Sequence, residues 1–589
     1  MWRRRAIIMV CLCLLCFALL IGRLMQLQLF ETEHFSKHGI NLLEESVSQR
    51  SQSIVIDSGR GGFLDKNGKD LTHQKIPVLI LFPFLAKIDW DVQKVASIVG
   101  VSSVELLNAV EEAKEPFAYG NSEPLRLTKA QMKKINQLQI PGVFAVEKKF
   151  ANDGNPAAHV IGITGENETL LRSRYPDKKI SPKTSIGLTG LQKSFDEFLL
   201  PEGEAKLVYH VDASGGPLFG INVKYVEPAN PFYPINIRTT LDSQLQETAE
   251  ELADKHGIKK GGLVLLDIKT NSILSMVSRP KINKKDPFNE KVSGTDNLML
   301  KQQITGSVFK TVVAAAAIEN RLDDPARLFD CSRKINGDVD QHYQYGQLNM
   351  TESFAKSCNN TFATLAKELQ AKNPNILEEY AKKLSFIGSS GWEGDIYHYE
   401  DFKQLPNEDN GRVFLSEEAR TDQNYVGLTG IGQHEVRATP LAVANMMATI
   451  ARGGKKEMVR AASAIEYKNG TSLLSFKEKE QEGERISSYT AAKLQRLLRE
   501  VVTHEEGTGR WFQNLPYAVA GKSGTGETGK FMGDKQLHNK WFAGYFPYEN
   551  PHYALVVVNF DVLENEGGVN LLFADMVKSI YEYDQKIQE

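Results

Sequence analysis

Ser307 and Lys310 stand three residues apart in Thr305-Gly306-Ser307-Val308-Phe309-Lys310, just ahead of an alanine run from Ala314 to Ala317. On a helix that spacing puts a hydroxyl and an amine on one face, a turn apart. A serine at a helix N-terminus also has unpaired backbone N–H groups beside it, ready to hold a developing oxyanion. The hydroxyl is inert until a base takes its proton. A lysine does this only when burial or a nearby cation lowers its pKa. Two later segments carry suitable groups: Ser357 in Ser357-Cys358-Asn359 could relay the proton, and Lys522 in Lys522-Ser523-Gly524-Thr525 could supply the cation.

Each segment alone has a plainer reading. Ser307 could be an ordinary helix cap, Ser357 and Asn359 turn residues, and Gly521-Lys522-Ser523 part of a phosphate loop. The phosphate loop fails, because it requires glycine where Pro516 stands. A second Ser-x-x-Lys, Ser353-Phe354-Ala355-Lys356, abuts Ser357 and would make one short segment supply two parts of the site. Order and setting favour Ser307. Ser-x-x-Lys at a helix start, Ser-x-Asn on a loop and Lys-Ser-Gly on a late strand form the signature of penicillin-recognising serine acyltransferases.

The elements that must hold these residues follow from periodicity. Thr240-Leu241-Asp242 predicts a cap for a helix running to His256, with Gly257 as its stop. Apolar runs at 262–268, 273–278, 541–546 and 553–560 predict strands, and 571–585 a closing helix. Strands at both ends around a helix-rich middle predict one α/β domain whose sheet joins N- and C-terminal strands. Upstream, short helices are expected over 85–140, with Ser102 as a cap, and Asp65-Lys66-Asn67-Gly68 has hairpin chemistry. Pro228, Pro231 and Pro234 mark a boundary, and the charge run over 475–485 reads as a solvated hairpin or loop.

The 589 residues are 41% hydrophobic and 24% charged, with a formal net charge of −3. That is too apolar for disorder and lacks the basic surplus of a nucleic-acid-binding protein. Five cysteines exclude a disulfide scaffold, and Cys11, Cys13 and Cys16 lie in one apolar run. With only Cys331 and Cys358 remaining, the low usage fits an outer-surface protein without structural disulfides and equally a cytosolic one, and Cys358 is expected to be packed inward rather than reactive. The apolar run over 6–24 approaches the about 20 residues that span a bilayer. Arg3-Arg4-Arg5 ahead of it places the N-terminus in the cytoplasm. A cleaved signal peptide is the alternative, but 18–24 offers no small-residue cleavage site, and Leu15 before Cys16 does not suit a lipoprotein. An uncleaved anchor is expected, followed by a helical stretch over 27–45 and a body outside the cytoplasm. His434 and His538 stand singly, without ligand spacing, so no metal or other cofactor is expected.

Over nearly its whole length the chain resembles a class B penicillin-binding protein, a monofunctional peptidoglycan D,D-transpeptidase. Beyond the three motifs, the likeness is carried by Glu506-Gly507-Thr508, by Trp541-Phe542-Ala543-Gly544-Tyr545, and by Gly432-Gln433 with Thr439-Pro440-Leu441. Arg60 to Gly68, His159-Val160-Ile161-Gly162 and Gly187-Leu188-Thr189-Gly190-Leu191-Gln192 carry it in the N-terminal part. The resemblance implies an α/β (α+β) transpeptidase fold over 236–589, with a central antiparallel sheet flanked by helices and a helical subdomain. Ahead of it would come an elongated α+β pedestal or dimerisation domain over 27–235, an anchor over 6–26 and a cytoplasmic tail over 1–5.

The resemblance also implies roles. Ser307 would attack the D-Ala-D-Ala carbonyl of a peptidoglycan stem peptide, expel D-alanine and pass the acyl group to an amine of a neighbouring stem. Lys310 would be the general base, with Ser357 and Lys522 in the proton relay and Asn359 positioning the substrate amide. Backbone N–H groups of Ser307 and Thr525 would form the oxyanion hole. On the Ser523-Gly524-Thr525 strand, the two hydroxyls would hold the terminal carboxylate of a substrate or a β-lactam. The length ahead of the transpeptidase leaves no room for a glycosyltransferase as well as the pedestal, so a separate membrane polymerase is the implied partner. The departures are Ser523 where threonine is more usual, Thr305 where proline is, and Lys66 where arginine is. The rival readings are a D,D-carboxypeptidase or β-lactamase-like hydrolase, deacylated by water, and a slow-acylating β-lactam-binding scaffold or sensor.

Overall fold

The computed structural model describes residues 2–30, 32, 51–120, 123–152, 154, 156–178, 180–212, 224–283, 286–288, 294–341 and 343–588. The helical stretch expected over 27–45 lies outside these residues beyond Phe30, apart from position 32. The chain packs as two units, neither continuous in sequence: 1–60 with 73–151 and 201–233, and 61–72 with 152–200 and 234–589.

In the smaller unit, a helix over Trp2–Met25 continues as one π turn, Gln26–Phe30, and buries none of its residues. This helix is long and apolar enough to cross a membrane. Two three-stranded sheets follow. One orders Ser51–Asp57, Ala205–His210 and Lys224–Val226, and the other Phe117–Ala118, His73–Leu81 and Val143–Ala151. Alternation along His73–Leu81 sends Ile76, Val78 and Ile80 into one core, while Leu79 and Leu81 enter another. The second core is closed by short helices, one of them Ser103–Glu112, where the Ser102 side chain accepts from Val104 N.

The larger unit is built on five strands: β1 (Gly261–Asp267), β2 (Ser272–Arg279), β3 (Ala520–Met532), β4 (Lys535–Phe546) and β5 (Tyr553–Val562). Their order is β2-β1-β5-β4-β3, antiparallel throughout, so N- and C-terminal strands do share one sheet. Its helices include α1 (Ser243–Lys255), α2 (Lys310–Glu319), α3 (Met350–Ala355), α4 (Asn359–Lys372), α5 (Pro440–Ala451), α6 (Ser488–Thr503) and α7 (Val569–Gln588). Asp242 caps α1 by accepting from Gln244 N and Leu245 N. Leu245 and Ala249 of α1 meet Phe573 and Val577 of α7 over Leu263, Phe542 and Val557, forming the main core. By contrast, α2 and α5 are buried nearly all round, as helices without a polar face must be.

A second sheet orders Phe63–Leu64, Asn236–Thr239, Ala462–Glu466 and Ser472–Ser475. The expected turn at Asp65-Lys66-Asn67-Gly68 is present: Asp65 Oδ1 accepts from Asn67 N and Lys69 N, each at 2.8 Å, and Gly68 takes φ +95°. Past Ser475 the charge run is irregular chain with one bridge, Glu480 to Glu457.

One expectation is overturned. Cys331 and Cys358 form a disulfide with their Cα atoms 5.8 Å apart, so the chain does carry a structural disulfide. The pairing of Phe329–Asp330 with Gln347–Leu348, and the bond from Asn360 Nδ2 to Asp330 O at 2.9 Å, bring the two cysteines together. A cysteine count carries no trace of that hairpin.

Candidate active site

A short 3-10 turn, Gly306–Phe309, precedes α2, so Ser307 lies at the entrance to that helix and Lys310 is its first residue. The turn rests on β3. Trp541 Nε1 donates to Ile304 O at 3.0 Å, and Gly306 N donates to Gly432 O at 2.9 Å. Gly306 is left-handed at φ +55°, and a Cβ there would stand 2.3 Å from Thr525 O. Only glycine permits this approach, which sets the backbone of Ser307 against that of Thr525.

Lys310 is fully buried. Its Nζ donates to Ser357 O at 2.7 Å, to Ser357 Oγ at 3.1 Å and to Asn359 Oδ1 at 2.6 Å. Lys522, also fully buried, donates from Nζ to the same Ser357 Oγ at 3.0 Å and to Ser523 O at 3.2 Å. Burial pushes the Lys310 amine well below its ordinary range, and the charge on Lys522 pushes it further. Burial also brings Lys522 down to about 7. The consequence for hydrogen bonding is specific. A neutral amine has two N–H groups and one lone pair, and Ser357 O and Asn359 Oδ1, which only accept, take both donors. In that neutral form the lone pair of Lys310 faces Ser357 Oγ at 3.1 Å, placed to accept a hydroxyl proton.

Ser357 lies between α3 and α4 at φ +59°, a left-handed conformation that is sterically strained for serine. Ser357 N to Phe354 O at 3.2 Å and Cys358 N to Ser353 O at 2.8 Å hold it there, with the Lys310 bond. Asn359 opens α4 and turns its amide oxygen to Lys310.

β3 is the outer strand of the sheet, so one of its edges is open. Gln433 Nε2 donates to Thr525 O at 3.0 Å, and Gln433 Oε1 accepts from Glu527 N at 2.9 Å. The backbone groups of 525 and 527 therefore face away from β4. In an antiparallel strand the N–H and C=O of one residue point the same way, so Thr525 N–H is directed at the cleft. Ser523 Oγ donates to Thr508 Oγ1 at 2.9 Å, and Gly524 lets β3 pass under Thr305, where a Cβ would stand 2.5 Å from Thr305 O. A cleft of about 320 Å³ is lined by Ser307, Ser357, Asn359, Ser523, Gly524 and Thr525, with Gln433, Thr508 and Tyr345 at its walls.

The structure thus brings together Ser307, Lys310, Ser357, Asn359, Lys522, Ser523, Gly524 and Thr525. The rival pair is held by other partners, although Lys356 also lines the cleft. Ser353 is buried, with Thr361 Oγ1 donating to it at 2.8 Å, and Lys356 pairs with Glu506. Sequence reasoning assigned no role to Gln433 or Thr508. Both lie in segments that resemble family motifs, but only the fold shows which atoms they engage. A larger cavity, about 650 Å³ between Lys383, Lys456 and Glu482, holds none of the motif residues.

Comparison with known proteins places these observations. Residues 261–571 match the penicillin-binding protein transpeptidase domain, and residues 55–231 match the penicillin-binding protein dimerisation domain. The peptidoglycan D,D-transpeptidase MrdA of Haemophilus influenzae is 24% identical, over 91% of this chain and 86% of that protein. A chain from a solved peptidoglycan synthase complex coordinating polymerization and crosslinking aligns with TM-score 0.66 at 22% identity, over 98% of each chain. Penicillin-binding protein 2 of Helicobacter pylori, solved in complex with MreC, aligns with TM-score 0.59 at 20% identity, over 90% of this chain and 99% of that one.

Proposed function

This chain belongs to the penicillin-binding proteins that join a dimerisation domain to a transpeptidase domain, and on that premise we propose that it crosslinks peptidoglycan as a serine D,D-transpeptidase acting through Ser307. The observation that carries the reading is the buried pair Lys310 and Lys522, without an acid partner among the described residues, converging on Ser357 Oγ in the cleft that Ser307 lines. An amine kept neutral by burial is the base a serine nucleophile needs.

Ser307 Oγ attacks the carbonyl of the penultimate D-alanine while its proton passes to Lys310 Nζ. The oxyanion is held by N–H groups of Ser307 and Thr525, the second aimed at the cleft by the strand geometry above. Ser357 Oγ, touching both lysines, carries the proton to the departing amine as the C–N bond breaks and D-alanine leaves. An acceptor amine then attacks the ester, loses its proton to the same relay and restores Ser307. Asn359 positions the donor amide, and the hydroxyls of Ser523 and Thr525 hold the terminal carboxylate. A β-lactam enters the same route and stops at the acyl-enzyme.

The proposed organisation is a cytoplasmic tail over 1–5, an anchor over 6–26, a pedestal over 27–235 and a transpeptidase over 236–589, with segments 61–72 and 152–200 packed in the larger unit. Arg3 to Arg5 favour an inside N-terminus, and the Cys331–Cys358 disulfide suits an oxidising compartment beyond the membrane. A separate membrane polymerase is the proposed partner, in keeping with the synthase complex that aligns over the full chain.

Labelling with a fluorescent penicillin tests the reading. A stable band that disappears in Ser307→Ala is expected. A band that fades by hydrolysis within seconds would instead make the protein a hydrolase, and no band in the wild type would remove Ser307 acylation from the account.

A further inference from the structure

The Cys331–Cys358 disulfide lies within the acyl-transfer site. Cys358 is the residue between Ser357 and Asn359, and both cysteines line the cleft that contains Ser307. Among the described residues, the Lys310 amine makes its hydrogen bonds to the two residues flanking Cys358. On the other side of the bridge, Cys331 N donates to Gly346 O at 2.8 Å, which closes a segment whose Arg333, Tyr343 and Tyr345 form a wall of the cleft. Thr361 Oγ1, one turn into α4, lies 3.4 Å from Cys331 Sγ and 3.2 Å from Cys358 Sγ, so both sulfurs are packed against the helix that carries Asn359. Ser357 meanwhile holds a left-handed backbone that serine does not favour and that its surroundings must enforce.

We infer that Cys331 and Cys358 are positioning residues for acyl transfer: their disulfide clamps Ser357 and Asn359 onto Lys310, and the protein acylates fast when the bridge is closed and slowly once a dithiol has reduced it. The inference rests on the acyl-transfer reading of Ser307. Reduction is a two-electron exchange. A dithiothreitol thiolate attacks one sulfur, the mixed disulfide is resolved by the reagent's second thiol, and the reagent leaves as a cyclic disulfide with thiols on both cysteines. Two sulfurs no longer bonded move apart to van der Waals distance, a displacement of the size that costs a catalytic constellation most of its rate. Lys310 also loses its enclosure. Among the described residues the charged group acting on it is Lys522 of β3, and Ser357, Asn359 and the Phe362 ring at 5.7 Å also face it. Water admitted there restores the ordinary basicity of the amine, so the rate falls furthest on the acid side.

The test uses the full chain in detergent. Alkylation and mass measurement count thiols before and after dithiothreitol, and penicillin acylation is timed in both states across the pH range around neutrality. Three alkylated cysteines, Cys11, Cys13 and Cys16, are expected before reduction and all five after it. Acylation should slow on the order of tenfold to a hundredfold, with its acid limb moved to higher pH, and should recover on reoxidation. Cys331→Ser with Cys358→Ser should be slow without reductant and unresponsive to it. Should that variant not fold, reduction of the folded wild type carries the test. Five alkylated cysteines before reduction overturn the inference, as does an unchanged rate and pH profile with five thiols exposed. Absence of any label in the oxidised protein would strike at the Ser307 reading itself, and is seen before reductant is added.

Discussion

Lys310 and Lys522 converge on a single oxygen: Ser357 Oγ stands 3.1 Å from the first amine and 3.0 Å from the second. Two lysines without a carboxylate partner among the described residues are an expensive thing to bury, and the fold buries both completely. In the proposed mechanism they share a path by which a proton taken at Ser307 would reach the departing amine.

Removing that shared oxygen should separate base from relay. Ser357→Ala is expected to slow penicillin acylation about 10²–10⁴-fold, the usual scale for losing a general acid–base participant. Ser357→Gly relieves the left-handed backbone at φ +59° yet should be equally slow. Timed labelling of both variants checks this, and a fast glycine variant would show that backbone strain rather than the hydroxyl was at issue.

Lys310 must be neutral to accept a proton, so acylation should rise with pH through its depressed pKa. Lys522, lowered to about 7, loses its charge above that point, and acylation should fall there. A bell-shaped profile is expected, its two limbs belonging to the coupled pair rather than to either residue. Lys522→Arg keeps its charge at all accessible pH and should carry the falling limb to higher pH.

Stability should follow the same lysine in the opposite sense from activity. Between about 7 and 10.5 the unfolded chain holds a proton on Lys522 that the folded chain lacks, so stability rises with pH across that window. Lys522→Met removes the buried amine. It should raise Tm by several degrees at or below neutral pH, lose that advantage near the upper end of the window, and abolish fast acylation. Melting curves over a pH series decide this.

Gly306 is both left-handed and in near contact with Thr525, so Gly306→Ala should lower Tm and slow acylation about 10²-fold by separating Ser307 from the oxyanion donor on β3. Gly470 is a matched control. It too has positive φ, at +83°, but a Cβ there meets nothing within 4 Å. Gly470→Ala should cost about 1 kcal/mol in stability and leave acylation unchanged.

Gln433 holds the open edge of β3 through Thr525 O and Glu527 N. Gln433→Ala should reduce the second-order acylation constant about tenfold, the worth of a typical net hydrogen bond, and Gln433→Glu, which cannot donate to Thr525 O, should behave alike. Parallel labelling at several penicillin concentrations separates weaker binding from slower chemistry.

The chain order of the candidate motifs was legible because the proposed acyl transfer would demand particular groups: Ser307 one helical turn from Lys310, then Ser357, Asn359 and Lys522, which the fold gathers around one cleft. The sheet was legible too, since runs such as Gly261–Asp267 and Tyr553–Val562 are apolar strand patterns whose ends must find partners. The apolar helix Trp2–Met25 announced itself by length and composition alone. Other features depend on atoms that are distant in sequence and meet only when the larger unit is assembled. The pKa depressions at Lys310 and Lys522 come from enclosure, the strand-edge role of Gln433 from its approach to β3, and the engagement of Ser353 and Lys356 from their packing. The bridge between Cys331 and Cys358 belongs with these. Two cysteines in a long chain are silent about pairing until a hairpin and a helix start bring them within bonding distance, and this fold does so at the cleft that Ser307 lines.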